Sequence, residues 1–599
     1  MKPPVSPRRT LLVPALALCL LCLISGCRKH RGSTGLATNV QHVVASPQLA
    51  ILKWSNFSDY QPQVKQFYDA RGYALAWTDD DGAPTQQADI LIQAFTDAAQ
   101  KGLRPEDYDA DRWPQRIAHL AALQSKQDTS TAAQDAVAEF DAAMTISAMR
   151  YISDLHSGRV NPQHLNFDID VPAKRAAFDL PGFLNDQVVE ADDVSGAIAS
   201  IEPQNPMYAA TLQALQQYIA LAKQQDAKPD STGAANPIAT PLAAVAKPVT
   251  VGQPYPAAAL FALGSRLALE GDMQEAPAGI STVGAVYTQD FADAVKHYQS
   301  RHGLSADGKL THATVDSLNV PMDVRVQQLD LSLERWRWLA DPYAEPRLLV
   351  NLPEFIVRAY NPDHSLAFKM KAVDGQAKGD HDTPIFTRTM RYLVFRPYWN
   401  VPPSIIKKEL VGHIQKSGVG YLAAKNFEVT KADGTPVTGY TASDIEHLRY
   451  AVREKPGPKN SLGLVKFMFP NEYDVYMHST PELNLFNLTR RDRSHGCVRL
   501  QHADQMAAWV LSPQPEWTAD KIADAMNNDQ KNNRTVSLKQ QLPVVVFYLT
   551  AVPDEDGTTH FFDDIYSYDK QLEQILDKGM PYPSTPAKIN PKLTPGETV

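Results

Sequence analysis

Between residues 50 and 222, apolar residues return every three or four positions, most regularly over 88–98 and 132–155. That spacing predicts amphipathic helices. Residues 226–256 are rich in Ala, Pro and Thr without any such period and read as a linker or extended loop. Helical spacing resumes in short pieces over 257–320. From Arg347 onward the texture is that of strands. Residues 348–352 and 355–360 read as a strand pair about a Pro-Glu turn, and 391–395, 473–477 and 543–550 as further strands. The last twenty or so residues, with several Pro and Lys, read as a loose tail.

At 599 residues the chain is too long for one hydrophobic core. The expected fold class is therefore α+β and multi-domain. A helical domain occupies 51–225 and a linker 226–256. A small helical domain at 257–325 and a linker helix at 326–345 follow. A mainly-β domain covers 346–550, with an insertion near 403–456, and C-terminal elements and tail fill 551–599. Apolar residues at 44% and aromatics at 9% are globular composition, which excludes wholesale disorder. A net charge of −9 supplies no basic field for nucleic acid.

The four cysteines are Cys19, Cys22, Cys27 and Cys497; three crowd the N-terminus, so no disulfide framework is expected. Arg8 and Arg9 precede an apolar run at 11–24, too short to span a bilayer comfortably but suited to a signal peptide over 1–26. The run ends in Ile24, Ser25, Gly26 and Cys27, which resembles a lipobox. Cys27 would then be the lipidated first residue, with 27–50 a membrane tether. Arg28 is not an acidic retention signal. By analogy with Gram-negative lipoproteins this implies a periplasm-facing protein on the outer membrane's inner leaflet. Cys19 and Cys22 would leave with the signal, and Cys497 would be the one free thiol.

His478 and Cys497 are the candidate chemistry. A nucleophilic sulfur must become a thiolate, so its pKa must fall from about 8.5. His478 can act as base if the intervening loop folds back. The carbonyl of Ser479 can orient the imidazole through its other nitrogen. Gly496 permits an unusual backbone angle, and the N–H groups of Gly496 and Cys497 can stabilise an oxyanion. Zinc held by His478, His495 and Cys497 is disfavoured because the spacing lacks CxxC or HExxH, so no metal is expected.

The hexapeptide SHGCVR at 494–499, with His478 upstream, closely resembles the signature of the L,D-transpeptidase (YkuD-type) catalytic domain. VDG at 373–375, TPIF at 383–386, PYWNVP at 397–402, GPKNSLG at 457–463 and DDIY at 563–566 extend the resemblance over 346–570, toward its large multi-domain Gram-negative branch. AVKHYQSRHGL at 294–304, with Asp307, Gly308, Thr311, Thr314, Leu318 and Asn319, resembles the short three-helix peptidoglycan-binding domain, which implies three helices for 257–325. FYDARGYALAW at 67–77 and YISDLHSGRVNP at 151–162 resemble the branch's helical scaffold domain, with Trp77 and Tyr151 as core.

The resemblance implies that Cys497 is the nucleophile, His478 the base, and Arg499 an organiser of substrate, whose fork suits a carboxylate. Tyr476, Trp399 and Asn400 join Arg499 as candidates for substrate placement. Residues 403–456 would form a capping subdomain. The implied partners are peptidoglycan stem peptides. The sulfur attacks the L-centre carbonyl of diaminopimelate in a donor tetrapeptide, D-alanine leaves, and an acceptor amine resolves the thioester as a 3→3 cross-link. No cofactor is implied, and carbapenems would acylate Cys497. Water, a D-amino acid or a protein lysine are alternative acceptors. An inert wall-binding lipoprotein is a third reading, against which the intact Cys497/His478 pair speaks. His495 can assist the thiolate or shape the loop, with shaping favoured.

Overall fold

The chain is described here from a computed structural model covering residues 34–79, 82–227, 236–378, 381–528 and 530–583. The expectations for 1–26 and for lipidation at Cys27 lie outside these residues.

The helical domain is organised by the helix Thr131–Ser157, whose residues from Ala138 to Leu155 are nearly all buried. Ser130 caps its start, its hydroxyl accepting from Ala133 N–H at 3.2 Å. The helix stops at Gly158, with φ +75°, where a Cβ would lie 2.8 Å from the Trp338 ring. Only glycine combines that backbone angle with that close approach.

Trp338 ends the helix Met322–Trp338, which covers 326–338 of the stretch 326–345 read as a linker helix; 339–345 is not helical. It is not a linker in the structural sense. Its second half, Leu331 to Trp338, is buried on every side. Glu334 accepts from the N–H groups of Arg159 at 2.6 Å and Val160 at 3.0 Å, and from Arg159 Nε at 3.0 Å. Arg335 pairs with Asp569 of the C-terminal helix Tyr568–Leu576 at 2.5 Å. Trp336 meets Phe547 of the β domain with ring centroids 5.5 Å apart. One helix thus fastens the helical domain, the C-terminal elements and the β domain together. Glu334, Arg335 and Arg337, all buried on it, each have a polar partner, as burial requires.

The small domain comprises the helices Ala257–Leu269, Gln289–Arg301 and His312–Leu318. Its own core gathers Leu260, Leu263, Val295, Tyr298, Leu310 and Val315. The second half of the expected linker belongs to this domain. Leu242 is in its core, and Val249 exchanges backbone hydrogen bonds with Leu310. The C-terminal tail also begins later than its composition suggests. Met580 and Tyr582 are buried against the helical domain, and the Tyr582 hydroxyl donates to Asp107 at 2.8 Å.

The β domain contains β1 (Leu348–Asn351), β2 (Ile356–Tyr360), β3 (Leu366–Gly375), β4 (Phe386–Phe395), β5 (Trp399–Asn400), β6 (Phe427–Thr430), β7 (Ala451–Glu454), β8 (Val465–Met468), β9 (Met477–His478), β10 (Asp492–Ser494), β11 (Val498–Leu500) and β12 (Arg534–Phe547). A hairpin of β13 (Ala551–Pro553) and β14 (Thr559–Phe561) follows. Among the described residues nine strands form one sheet in the order β10-β3-β11-β9-β8-β4-β12-β1-β2, and β2 also pairs with β3. That second pairing brings the two ends of the sheet together. The insertion, together with β5 just before it, forms a separate three-stranded sheet, β5-β7-β6, over an apolar core of Ile406, Leu410, Leu422, Val429, Ile445 and Val452.

The strand expected at 473–477 is shorter than read. The Asn471 side chain accepts from the N–H groups of Tyr473 and Val475 and donates to the carbonyls of Phe469 and Val475. A side-chain-built turn therefore replaces ladder bonds until Met477.

Removing Glu334 leaves the Arg159 guanidinium buried without its counter-charge. Glu334→Leu is expected to cost about 3–5 kcal/mol, read as a lowered denaturant midpoint of the full chain; an unchanged midpoint contradicts this role.

Candidate active site

β9 and β11 are parallel neighbours, with Met477 beside Val498 and His478 beside Arg499. The Val498 N–H donates to the Tyr476 carbonyl at 3.1 Å, so Cys497, one residue before β11, lies alongside Tyr476. Successive side chains alternate faces. Met477 and Val498, both fully buried, take the core face. Tyr476, His478, Cys497 and Arg499 take the other. On the far edge of β9, antiparallel β8 sets Lys466 opposite His478. Residues directly opposite share a face, so an ammonium joins the group.

The turn before Cys497 is held from several sides. Gly496 has φ +118°, a conformation that disfavours any side chain. Its carbonyl accepts from Thr383 Oγ1 at 2.8 Å. The Thr383 hydroxyl in turn accepts from Gly375 N–H at 2.9 Å. Ser494 Oγ accepts from Gly496 N–H at 3.1 Å and donates to the Cys497 carbonyl at 2.6 Å. This corrects the expectation for Gly496 as an oxyanion donor: its N–H is engaged by Ser494, and the Cys497 N–H is the one that donates to none of the described residues.

His478 Nδ1 meets the Ser479 carbonyl at 2.6 Å. A carbonyl only accepts, so Nδ1 carries the proton and Nε2 keeps its lone pair. The Ser479 hydroxyl accepts from Leu464 and Val465 N–H at 2.6 and 3.1 Å, tying β9 to the start of β8. Burial, with the Arg499 charge, holds the imidazole down to about 3, against the pull of the Ser479 and Leu462 carbonyls.

The Cys497 sulfur lies 3.7 Å from the Asp474 carbonyl. Its surroundings push the thiol up to about 11, chiefly by desolvation, while hydrogen bonding from Tyr476 and the Lys466 charge favour the thiolate. No hydrogen bond joins the imidazole to the sulfur. The resting pair is thus a neutral thiol and a neutral imidazole on one face. Catalytic hydrogen bonds of this kind often close only with substrate bound.

Arg499 pairs with Glu482, an exposed carboxylate that any substrate carboxylate would have to replace. Trp399 and Asn400 are not gathered with the others. Trp399 packs on Phe427 in the core of the insertion, and Asn400 is exposed on the same short strand. Neither has a hydrogen bond or ring contact to Cys497 or His478. His495 is engaged elsewhere: its Nε2 meets Glu409 of the insertion at 2.7 Å, and its ring packs edge-on against His381. Lys466 was not singled out from the sequence. The alternation in VKFM at 465–468 marks it as the outward position, but nothing in that strand says which face of the sheet carries the chemistry.

Among the described residues no group of His, Cys, Asp and Glu has the arrangement of a metal site.

Comparison with known families agrees with this geometry. Residues 345–546 match the "L,D-transpeptidase catalytic domain", 62–215 the "Scaffold domain" and 276–318 the "Putative peptidoglycan binding domain". A Haemophilus influenzae protein described as "Putative L,D-transpeptidase" is 28% identical over 280 residues, 45% of this chain and 54% of that protein. The matched region thus spans about half the length of that relative. The chain combines a helical scaffold domain, a helical peptidoglycan-binding domain and a β-rich L,D-transpeptidase catalytic domain.

An imidazole held neutral to about 3 and a thiol held neutral to about 11 put both titrations outside the ordinary working range. Acylation rate is therefore expected to be level from about pH 5 to about pH 8. An acid limb at the ordinary histidine value of about 6.5, seen in a pH series of single-turnover acylation, contradicts that environment.

Proposed function

We propose that this protein is a cysteine L,D-transpeptidase that cross-links peptidoglycan stems. The observation that carries the reading is the common face of β9 and β11, where the sulfur and a correctly tautomerised imidazole lie on neighbouring strands.

In this reading His478 Nε2 takes the proton of Cys497 as the sulfur bonds to the L-centre carbonyl carbon of diaminopimelate. The carbonyl π pair moves onto oxygen, and the Cys497 N–H donates to that oxyanion. Collapse breaks the bond to D-alanine, whose nitrogen receives the proton back from Nε2. The side-chain amine of an acceptor stem then attacks the thioester. Nε2 takes one proton from that amine, the carbon–sulfur bond breaks, and the sulfur recovers the proton. Two acyl transfers replace one difficult amide exchange. Arg499 holds a stem carboxylate in place of Glu482.

Carbapenems acylate the same sulfur in this account. The small domain holds the strand being remodelled. A lipid on Cys27 and a periplasm-facing position complete the proposal, supported by the apolar run at 11–24 and the residues Ile24 to Cys27.

Incubation of the full chain with disaccharide-tetrapeptide, read by mass spectrometry, is expected to give dimers lacking one D-alanine. Cys497→Ala and His478→Gln should each lower their formation by about 10³-fold or more. Monomers trimmed of D-alanine would identify water as the acceptor. Unchanged substrate would overturn the enzymatic reading.

A further inference from the structure

A thiolate needs a positive neighbour, and the usual one in cysteine enzymes is a protonated histidine. That solution is unfavourable here. His478 is buried, is hydrogen-bonded as the neutral Nδ1–H tautomer, and has two cations near it, Arg499 and Lys466. Adding a proton would place a third positive charge in the same pocket.

The two cations differ in what they face. Arg499 is committed to Glu482. Lys466 pairs with no carboxylate among the described residues. Its Nζ stands 5.4 Å from the centre of the Tyr476 ring, and the strand register brings it level with His478. The titratable groups that meet it are Tyr476 just before β9, His478 on β9 and Cys497 just before β11. Of these only Cys497 acts on Lys466 in the favourable sense, and Lys466 acts on Cys497 likewise. Asp474 opposes the thiolate.

We propose that Lys466 is the counter-charge of the Cys497 sulfur, stabilising the thiolate as its proton leaves, so that His478 only carries the proton. Lys466 is in this sense a positioning residue for charge rather than a group that touches substrate. The inference deepens the transpeptidase reading and rests on Cys497 being its nucleophile. It also accounts for an otherwise costly feature, a half-buried lysine without an ion-pair partner among the described residues.

The test needs no substrate. The full-length protein is alkylated with iodoacetamide across a pH series, and the adduct on Cys497 is followed by intact mass. Lys466→Met is expected to raise the midpoint of thiol titration by about one pH unit, slowing alkylation about tenfold at a fixed pH below it. Lys466→Arg should keep the rate within about threefold of the unmodified protein, because the charge remains. His478→Gln should leave the midpoint near its original value. If the methionine variant melts early, Lys466→Gln serves the same comparison. An unmoved midpoint without the lysine overturns the proposal. So does an arginine variant as slow as the methionine one, or a midpoint that follows His478 instead. Cross-linking and alkylation are separate readouts. Active enzyme with an unmoved midpoint sinks this inference alone, and inactive enzyme with a Lys466-dependent midpoint sinks the transpeptidase reading alone.

Discussion

The register between two very short parallel strands, β9 and β11, is the constraint on which the active face depends. Side chains alternate with period two, so a slip of one residue would turn Cys497 and His478 toward the core and expose Met477 and Val498. The apolar pair makes that slip costly, since both side chains are fully buried and each would lose about 1.5–3 kcal/mol of burial. The hydrogen bond from Val498 to Tyr476 and the braced Gly496 turn fix the same alignment from the chemical side. Core packing and site assembly are thus one event in this part of the chain.

The supports of this register reach beyond the sheet. Thr383, which holds the Gly496 carbonyl, follows β3, and Tyr566 from the C-terminal segment donates to the Gly375 carbonyl at 2.6 Å. That segment continues into the helix Tyr568–Leu576, which is locked by Asp569 to Arg335. The helix Met322–Trp338 therefore links the helical domain to the nucleophile turn through a short series of buried polar contacts. The insertion also touches this turn, its Glu409 meeting His495, two residues before Cys497.

Much of this was legible in the sequence where local pattern dominates. The 3.6-residue period marked the helix Thr131–Ser157, and the alternating and apolar runs marked β1, β2 and β12. The pair Cys497 and His478 was legible as a motif, and the Ser479 carbonyl as the partner of His478 follows from adjacency along the chain. What depends on tertiary pairing was not. The role of the helix Met322–Trp338 was not legible beyond a linker helix, because the partners of Arg335, Glu334 and Arg337, namely Asp569, Arg159 and Tyr208, lie far away in sequence. Met580 and Tyr582 looked like tail for the same reason. Lys466 took on meaning only once β8 was placed against β9. The shortened strand at 473–477 reflects a different limit, since Asn471 competes with the ladder for backbone groups in a way that propensity does not reveal.

The central claim is that one sulfur, on the shared face of β9 and β11, carries the acyl group. It is tested most directly by acid-quenching the full chain in the presence of donor tetrapeptide without acceptor, then mapping the adduct by peptide mass. The account predicts an increment equal to the donor less D-alanine, located on the peptide that contains Cys497. An active protein whose increment lies on any other residue would contradict it.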